Sequence, residues 1–242
     1  MHVVMTEMYN PSTDTWSVAA PMRTLRGYLA CCTLNNRLYA IGGVTGDGSN
    51  AVTEVLERGQ LKWSMTRVGV TVDRAGHACV SHGDHIYIIG GTRAHGSECL
   101  RTVERYDVGR AQWEARSSMA NARKHLGCAV LGDHIYAVGG CVEDWGPHLA
   151  SVERYLPSGD TWEAAPALPI ARSRHAVTVL VGPTLCHRQQ RWVVPGDDEG
   201  GPVRLRAGCV GVCRPPVDRT TLPGRRDSQR AHVRHRRLFV GL

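Results

Sequence analysis

Short runs of alternating or wholly apolar residues recur along residues 1–181, each split from the next by turn-forming residues. In residues 125–164 they are His125–Leu131, His134–Gly139, Val152–Tyr155 and Thr161–Ala164. They are too short for helices and rich in β-branched and aromatic residues, so they predict strands. Gly132-Asp133 between the first two is a hairpin signal. The second run of each group ends in a Gly pair: Leu38-Tyr39-Ala40-Ile41-Gly42-Gly43, Ile86-Tyr87-Ile88-Ile89-Gly90-Gly91 and Ile135-Tyr136-Ala137-Val138-Gly139-Gly140. These phrases are 48 and 49 residues apart, and Trp16, Trp63, Trp113 and Trp162 follow at steps of 47, 50 and 49. A period near 50 predicts an array of similar units, and four short strands per unit describe a propeller blade.

Aligned on the Gly pairs, the units share more. Arg26, Arg74 and Arg123 stand 16 residues before the pair, and Cys31, Cys79 and Cys128 stand 11 before it. Tyr9, Tyr106 and Tyr155 each precede a Trp by seven residues, with Leu56 in the Tyr place before Trp63. Tyr and Trp, large with a polar tip, suit the slot between blades. A Gly pair at a strand end predicts a sharp bend where blades crowd. Blades that cannot cover their own faces bury them by stacking.

These phrases, with Val-Glu-Arg-Tyr in two copies, resemble the kelch repeat in the form found in kelch-like adaptor proteins. The expected fold is all-β. It is a partial kelch-type propeller over 1–181, with a partial blade at 2–22, blades at 23–69, 70–120 and 121–169, and the first strand of a further blade at 170–181. Arg172 opens that further unit, yet Arg188-Gln189 stands where its Gly pair is due. The resemblance implies protein binding without catalysis or a cofactor, as in the substrate-recognition propeller of a cullin-3 ubiquitin-ligase adaptor. In that family separate BTB and BACK domains hold the ligase, and neither is found in this sequence. The chain is therefore expected to be a fragment or truncated isoform. An actin-binding kelch protein with a cytoskeletal role is the main alternative, and a truncated product without function is another. A kelch-fold copper oxidase would need a Tyr/His ligand cluster outside the repeat positions, and none is seen.

The resemblance also places Arg26, Arg74, Arg123 and Arg172 at the rim of a substrate pocket, where a guanidinium fork suits carboxylates. Equally, each Arg could cap its own blade by bonding loop carbonyls. The loops after the Gly pairs vary while the strands repeat, which suits interchangeable binding loops. They supply Arg93 and His95 from one loop and Trp145 from the tip of another, where it is either an exposed anchor or folded back on the blade.

Charge divides the chain. Residues 182–242 hold twelve Arg, no Lys and five acidic residues, and so carry the entire net charge of +7. This Gly- and Pro-rich segment lacks a sustained period and is expected to be disordered or non-native sequence. It could neutralise phosphates, yet Trp192 and Phe239 are its only aromatics, which argues against nucleic acid as a partner. Cys186, Cys209 and Cys213 match no common zinc spacing, so no metal is expected. His77, His125 and His175 near the repeated Arg are read as surface or loop residues. Nine cysteines, an odd number, without an Asn-x-Ser/Thr acceptor favour a reducing cytoplasmic or nuclear setting. No run is long and apolar enough for a membrane span.

Overall fold

The computed structural model describes residues 5–46, 51–93 and 98–181 and the strand at 190–193. Every regular element among them is a β-strand. Three four-stranded antiparallel sheets carry the architecture: β3 to β6 (Ala30–Leu34, Arg37–Ile41, Thr53–Glu57, Ser64–Met65), β7 to β10 (Ala78–His82, His85–Ile89, Val103–Asp107, Gln112–Arg116) and β11 to β14 (Gly127–Leu131, His134–Val138, Val152–Leu156, Thr161–Ala165). Two-stranded sheets flank them: β1 and β2 (Thr6–Asn10, Thr15–Ala19), and β15 and β16 (Thr178–Val181, Gln190–Val193). Within each sheet, strands pair in chain order. Across sheets the first strands meet, β3 with β7, β7 with β11 and β11 with β15, so they form the hub and the blades radiate from it. Four residues of the Arg-rich segment form β16, and the remainder of 182–242 lies outside the described residues.

The alternation of the strands becomes burial between blades. Tyr39 and Ile41 of the first blade pack with Ile86, Ile88, Tyr106 and Trp113 of the second. Tyr87 and Ile89 of the second pack with Leu126, Ile135, Ala137 and Tyr155 of the third. The Tyr–Trp spacing becomes a cross-strand pair: Tyr9, Tyr106 and Tyr155 stand opposite Trp16, Trp113 and Trp162 in register. The ring centroids lie 5.0–5.3 Å apart, the range of favourable aromatic contacts. Tyr39 meets Tyr106 and Tyr87 meets Tyr155 across the slots at 6.4 and 5.9 Å. Trp63 and Trp162 donate their indole N–H groups to the carbonyls of Ala20 and Ser117 in the preceding units, each at 2.8 Å.

The Gly pairs turn where the next blade begins. The first Gly has φ of +59 to +65° and the second +97 to +100°, a region that favours glycine. A Cβ on Gly42, Gly90 or Gly139 would lie 2.3–2.6 Å from the carbonyl oxygen of Arg74, Arg123 or Arg172. The N–H groups of Gly43, Gly91 and Gly140 donate to those same carbonyls at 2.8–2.9 Å. The repeat therefore spends its glycines on a hydrogen bond between blades.

Each repeated Arg is an internal staple. Arg26, Arg74 and Arg123 are wholly buried and ion-paired with Glu54, Glu104 and Glu153 on the third strands, the latter two at 2.5 and 2.7 Å. The same guanidiniums donate to the carbonyls of Gly42, Gly90 and Gly139 and of Val52, Thr102 and Ser151. Each carboxylate also accepts backbone N–H groups from the entry loop: Arg23 and Thr24, Thr71, or Ala120 and Asn121. The pair thus joins three segments of one blade, its charges matched internally, with only the Nε atoms of Arg26 and Arg123 left without a partner. This is the blade-capping alternative. A rim role for Arg26, Arg74 and Arg123 is corrected, because no part of them reaches a partner.

Two further expectations change. The first strand of the third blade begins at Gly127 rather than His125, because His125 adopts φ +52° and is not extended. His77 is a core residue rather than a surface one. It fills the position that Leu29 and Leu126 hold in the neighbouring blades and is 6 % exposed. Burial first, and then the Arg74 charge, push its imidazole down to about 3.

Glu104→Gln leaves the Arg74 charge buried and unpaired, and is expected to destabilise the fold by about 3–5 kcal/mol. Glu57→Gln at the half-exposed Arg37–Glu57 pair is expected to cost under about 1 kcal/mol. Urea midpoints of both variants check the contrast. Below its ordinary value of 6.5, His77 binds a proton in the unfolded chain but not in the folded one until about pH 3. Its contribution therefore falls as pH falls, by up to ~1.4 kcal/mol per pH unit. His77→Leu removes this slope. Its urea midpoint is expected to rise progressively above the parent's between pH 7 and pH 4, and a constant difference would refute the assignment.

Candidate functional site

Two residues beyond each repeated Arg, the chain makes an unexpected turn. Tyr28, Gly76, His125 and Arg174 all have positive φ, from 52 to 61°, although one alone is Gly. The strain is held by backbone bonds between blades. Gly76 donates to Tyr28 O at 2.9 Å, His125 to Gly76 O at 2.7 Å and Arg174 to His125 O at 2.8 Å. These four positions run in line across the hub, one per blade. Non-glycine residues held this way cluster at functional sites.

The loops after the Gly pairs stand beside this line. Val44 bridges to Gly27, Thr92 to Ala75 and Cys141 to Lys124, so the base of each loop is pinned to the residue after the repeated Arg. Together they enclose a depression of about 380 Å³, whose lining includes Tyr28, Gly76, Lys124, His125, Asp144 and Trp145. Arg93 and Arg174 also line it.

Asp144 organises the depression. Its carboxylate lies 2.9 Å from Lys124 Nζ, 3.6 Å from His125 Nε2 and 3.4 Å from an Arg174 guanidinium nitrogen. The Lys124 hydrogen bond above all, with the charges of Lys124, His125 and Arg174, holds this carboxyl below its usual range. Burial first, and then the Arg174 charge, push His125 down despite the nearby carboxylate. The Tyr28 ring lies 5.7 Å from the His125 ring. Beside this cluster Trp145 is fully exposed at 101 %, the open member of the two arrangements expected of it. Arg93 is half exposed and paired with Glu98 at 3.3 Å.

The structure thus gathers Arg93 and Trp145 from the sequence candidates, sends Arg26, Arg74 and Arg123 into the core, and leaves His95 outside the described residues. Arg172 begins the next unit, where its carbonyl accepts from Gly140. Tyr28, Lys124, His125, Asp144 and Arg174 escaped the sequence reading. The signal for the first, third and last was their shared offset from the repeated Arg, with Gly76 as the clue that the offset needs positive φ. Chemically the depression offers cationic donors whose internal carboxylate is half exposed, next to an exposed indole. This suits binding of a carboxylate beside an apolar group.

A family model described as the Kelch motif matches residues 73–120 and 122–169. Kelch-like protein 38 of Mus musculus is 31 % identical over 121 residues, covering 49 % of this chain and 21 % of that protein. Kelch-like protein 4 of Homo sapiens is 36 % identical over 74 residues, covering 31 % and 10 %. Kelch repeat protein C2 of Vaccinia virus (strain Western Reserve) is 30 % identical over 107 residues, covering 44 % and 19 %. The chain spans about a fifth or less of the length of these relatives. With its repeats, its stapled blades and these matches, the chain carries kelch repeats and is similar to kelch-like proteins.

Proposed function

We propose that the chain is a protein-interaction module that receives a segment of its partner in the hub-face depression, by binding and not catalysis. The observation that carries this reading is a fully exposed Trp145 in a depression lined by the half-exposed guanidiniums of Arg93 and Arg174. An aromatic anchor next to charged donors is the usual make-up of a binding hot spot. The cations favour a partner segment with a carboxylate, which would compete with Asp144 for them.

The finer reading is that this arc serves as the substrate-holding part of a cullin-3 ubiquitin-ligase adaptor, the ligase being held by BTB and BACK domains. Its similarity to kelch-like proteins supports that reading. A reducing cytosolic or nuclear setting goes with it, on the cysteine count and the missing glycosylation acceptors.

Trp145→Ala and Arg174→Glu change exposed side chains and are expected to leave the melting temperature within 2–4 °C of the parent, on the order of a surface substitution. Parent and variants are immobilised and challenged with the same cell extract. Proteins held by the parent are expected to fall at least about tenfold on either variant, a loss near 1.4 kcal/mol. Equal retention on all three would remove the depression as the site. Co-sedimentation of the parent with filamentous actin would move the reading to a cytoskeletal role.

A further inference from the structure

One slot between blades differs from the others in its chemistry. At the hub, Cys32 of β3 and Cys79 of β7 bring their sulfurs to 2.9 Å, the Cys79 thiol donating to Cys32 Sγ. Repeat alignment shows that this pairing is not a demand of the fold. Val80 and Ala129 stand at the position of Cys32 in the second and third blades, and both are buried. Val177 stands at the position of Cys79 in the unit after them. Apolar side chains therefore satisfy both positions, and only between the first two blades are both filled by cysteine. Both residues are partly exposed, and each packs against the shared core of these two blades.

We propose that Cys32 and Cys79 are a site of reversible oxidative modification, at which a disulfide joins the hub strands of the first two blades. The pair needs an oxidant of the hydroperoxide class or a small disulfide. With hydrogen peroxide, Cys32 sulfur attacks one peroxide oxygen, the O–O bond breaks, and one water leaves as Cys32 becomes a sulfenic acid. Cys79 sulfur then attacks Cys32 sulfur, the S–O bond breaks, and the Cys79 proton leaves with that oxygen as a second water. Two thiols are oxidised by two electrons and one peroxide is reduced to two waters.

Cys79 is assigned the resolving role, its sulfur lying 2.9 Å from Cys32 Sγ and so within reach of attack. Burial holds its thiol well above the usual range, so bond formation is slow near neutral pH and quickens as pH rises. The cross-link would join β3 to β7. It fixes the blade that supplies Tyr28 and Val44 against the blade that supplies Gly76 and Thr92.

The test uses the full chain in a glutathione buffer stepped from fully reduced to fully oxidised, and separately with hydrogen peroxide at pH 7 and pH 9. Free thiols are then blocked and the protein is cut with trypsin. The expected product joins peptide 27–37 to peptide 75–93, is formed faster at pH 9, and disappears with dithiothreitol. Peptide 27–37 also holds Cys31, so variants decide the sulfur. Cys31→Ser is expected to keep the link, and Cys32→Ala and Cys79→Val are expected to lose it while keeping the parent's melt, since the repeats themselves place Ala129 and Val177 there. The oxidised parent is expected to show a higher urea midpoint that returns to the reduced value with dithiothreitol, and the variants none. Absence of the linked peptide at the most oxidising step overturns the proposal, as does its survival in Cys32→Ala.

Discussion

A guanidinium and a carboxylate removed from water are the constraint on which every blade depends. Arg26, Arg74 and Arg123 pair with Glu54, Glu104 and Glu153 where neither partner meets solvent. Desolvation of two ions is offset by the hydrogen bonds their remaining donors and acceptors make. Here most are engaged by backbone, the carbonyls of the Gly turn and third strand on one side and the amides of the entry loop on the other, while the Nε atoms of Arg26 and Arg123 stay buried without a partner. The interaction therefore acts as a template. An entry loop, a turn and a third strand, separated by as many as 33 residues, must all arrive for any of them to be satisfied. That requirement explains why blades of diverse sequence keep one geometry.

The blades are not self-sufficient. The carbonyls of Arg74, Arg123 and Arg172 accept from the second Gly of the preceding blade, so the residue that closes one unit also receives its neighbour. Apolar burial follows the same rule, since the core clusters draw on two adjacent sheets. In a one-dimensional array of this kind stability is a sum of unit and interface terms. Trp16 illustrates it: at 58 % exposure it remains open where Trp63 and Trp113 are buried, because among the described residues no sheet lies against its outer face.

Much of this was legible in the sequence, and the parts that were not have a common cause. The Gly pairs, the Tyr–Trp spacing and the hairpin turns are local signals, and each fell on the element it announced. The role of the Arg depended on a partner 28 or 30 residues away. Glu54, Glu104 and Glu153 do recur, each two places before the Tyr or Leu of the third strand, so their period was visible but their pairing was not. His77 was misread because histidine at an apolar repeat position looks polar in isolation, and only the Leu29 and Leu126 equivalence places it inside. The site was harder still. Lys124 and Asp144 meet because a Gly turn folds one loop over the start of the blade, and no spacing rule states that.

The line of left-handed residues across the hub has a meaning for how such an array diversifies. Tyr28, Gly76, His125 and Arg174 share one backbone conformation, imposed by amide-to-carbonyl bonds that involve no side chain. The frame therefore carries different side chains at equivalent places, except that a Cβ at Gly76 would press on the His125 ring at 2.9 Å. An aromatic phenol, a hydrogen, an imidazole and a guanidinium occupy equivalent places, one per blade, facing the same opening. Vocabulary and grammar are separated: the main chain fixes where each letter sits, and substitution rewrites the word a partner meets without disturbing the fold beneath it.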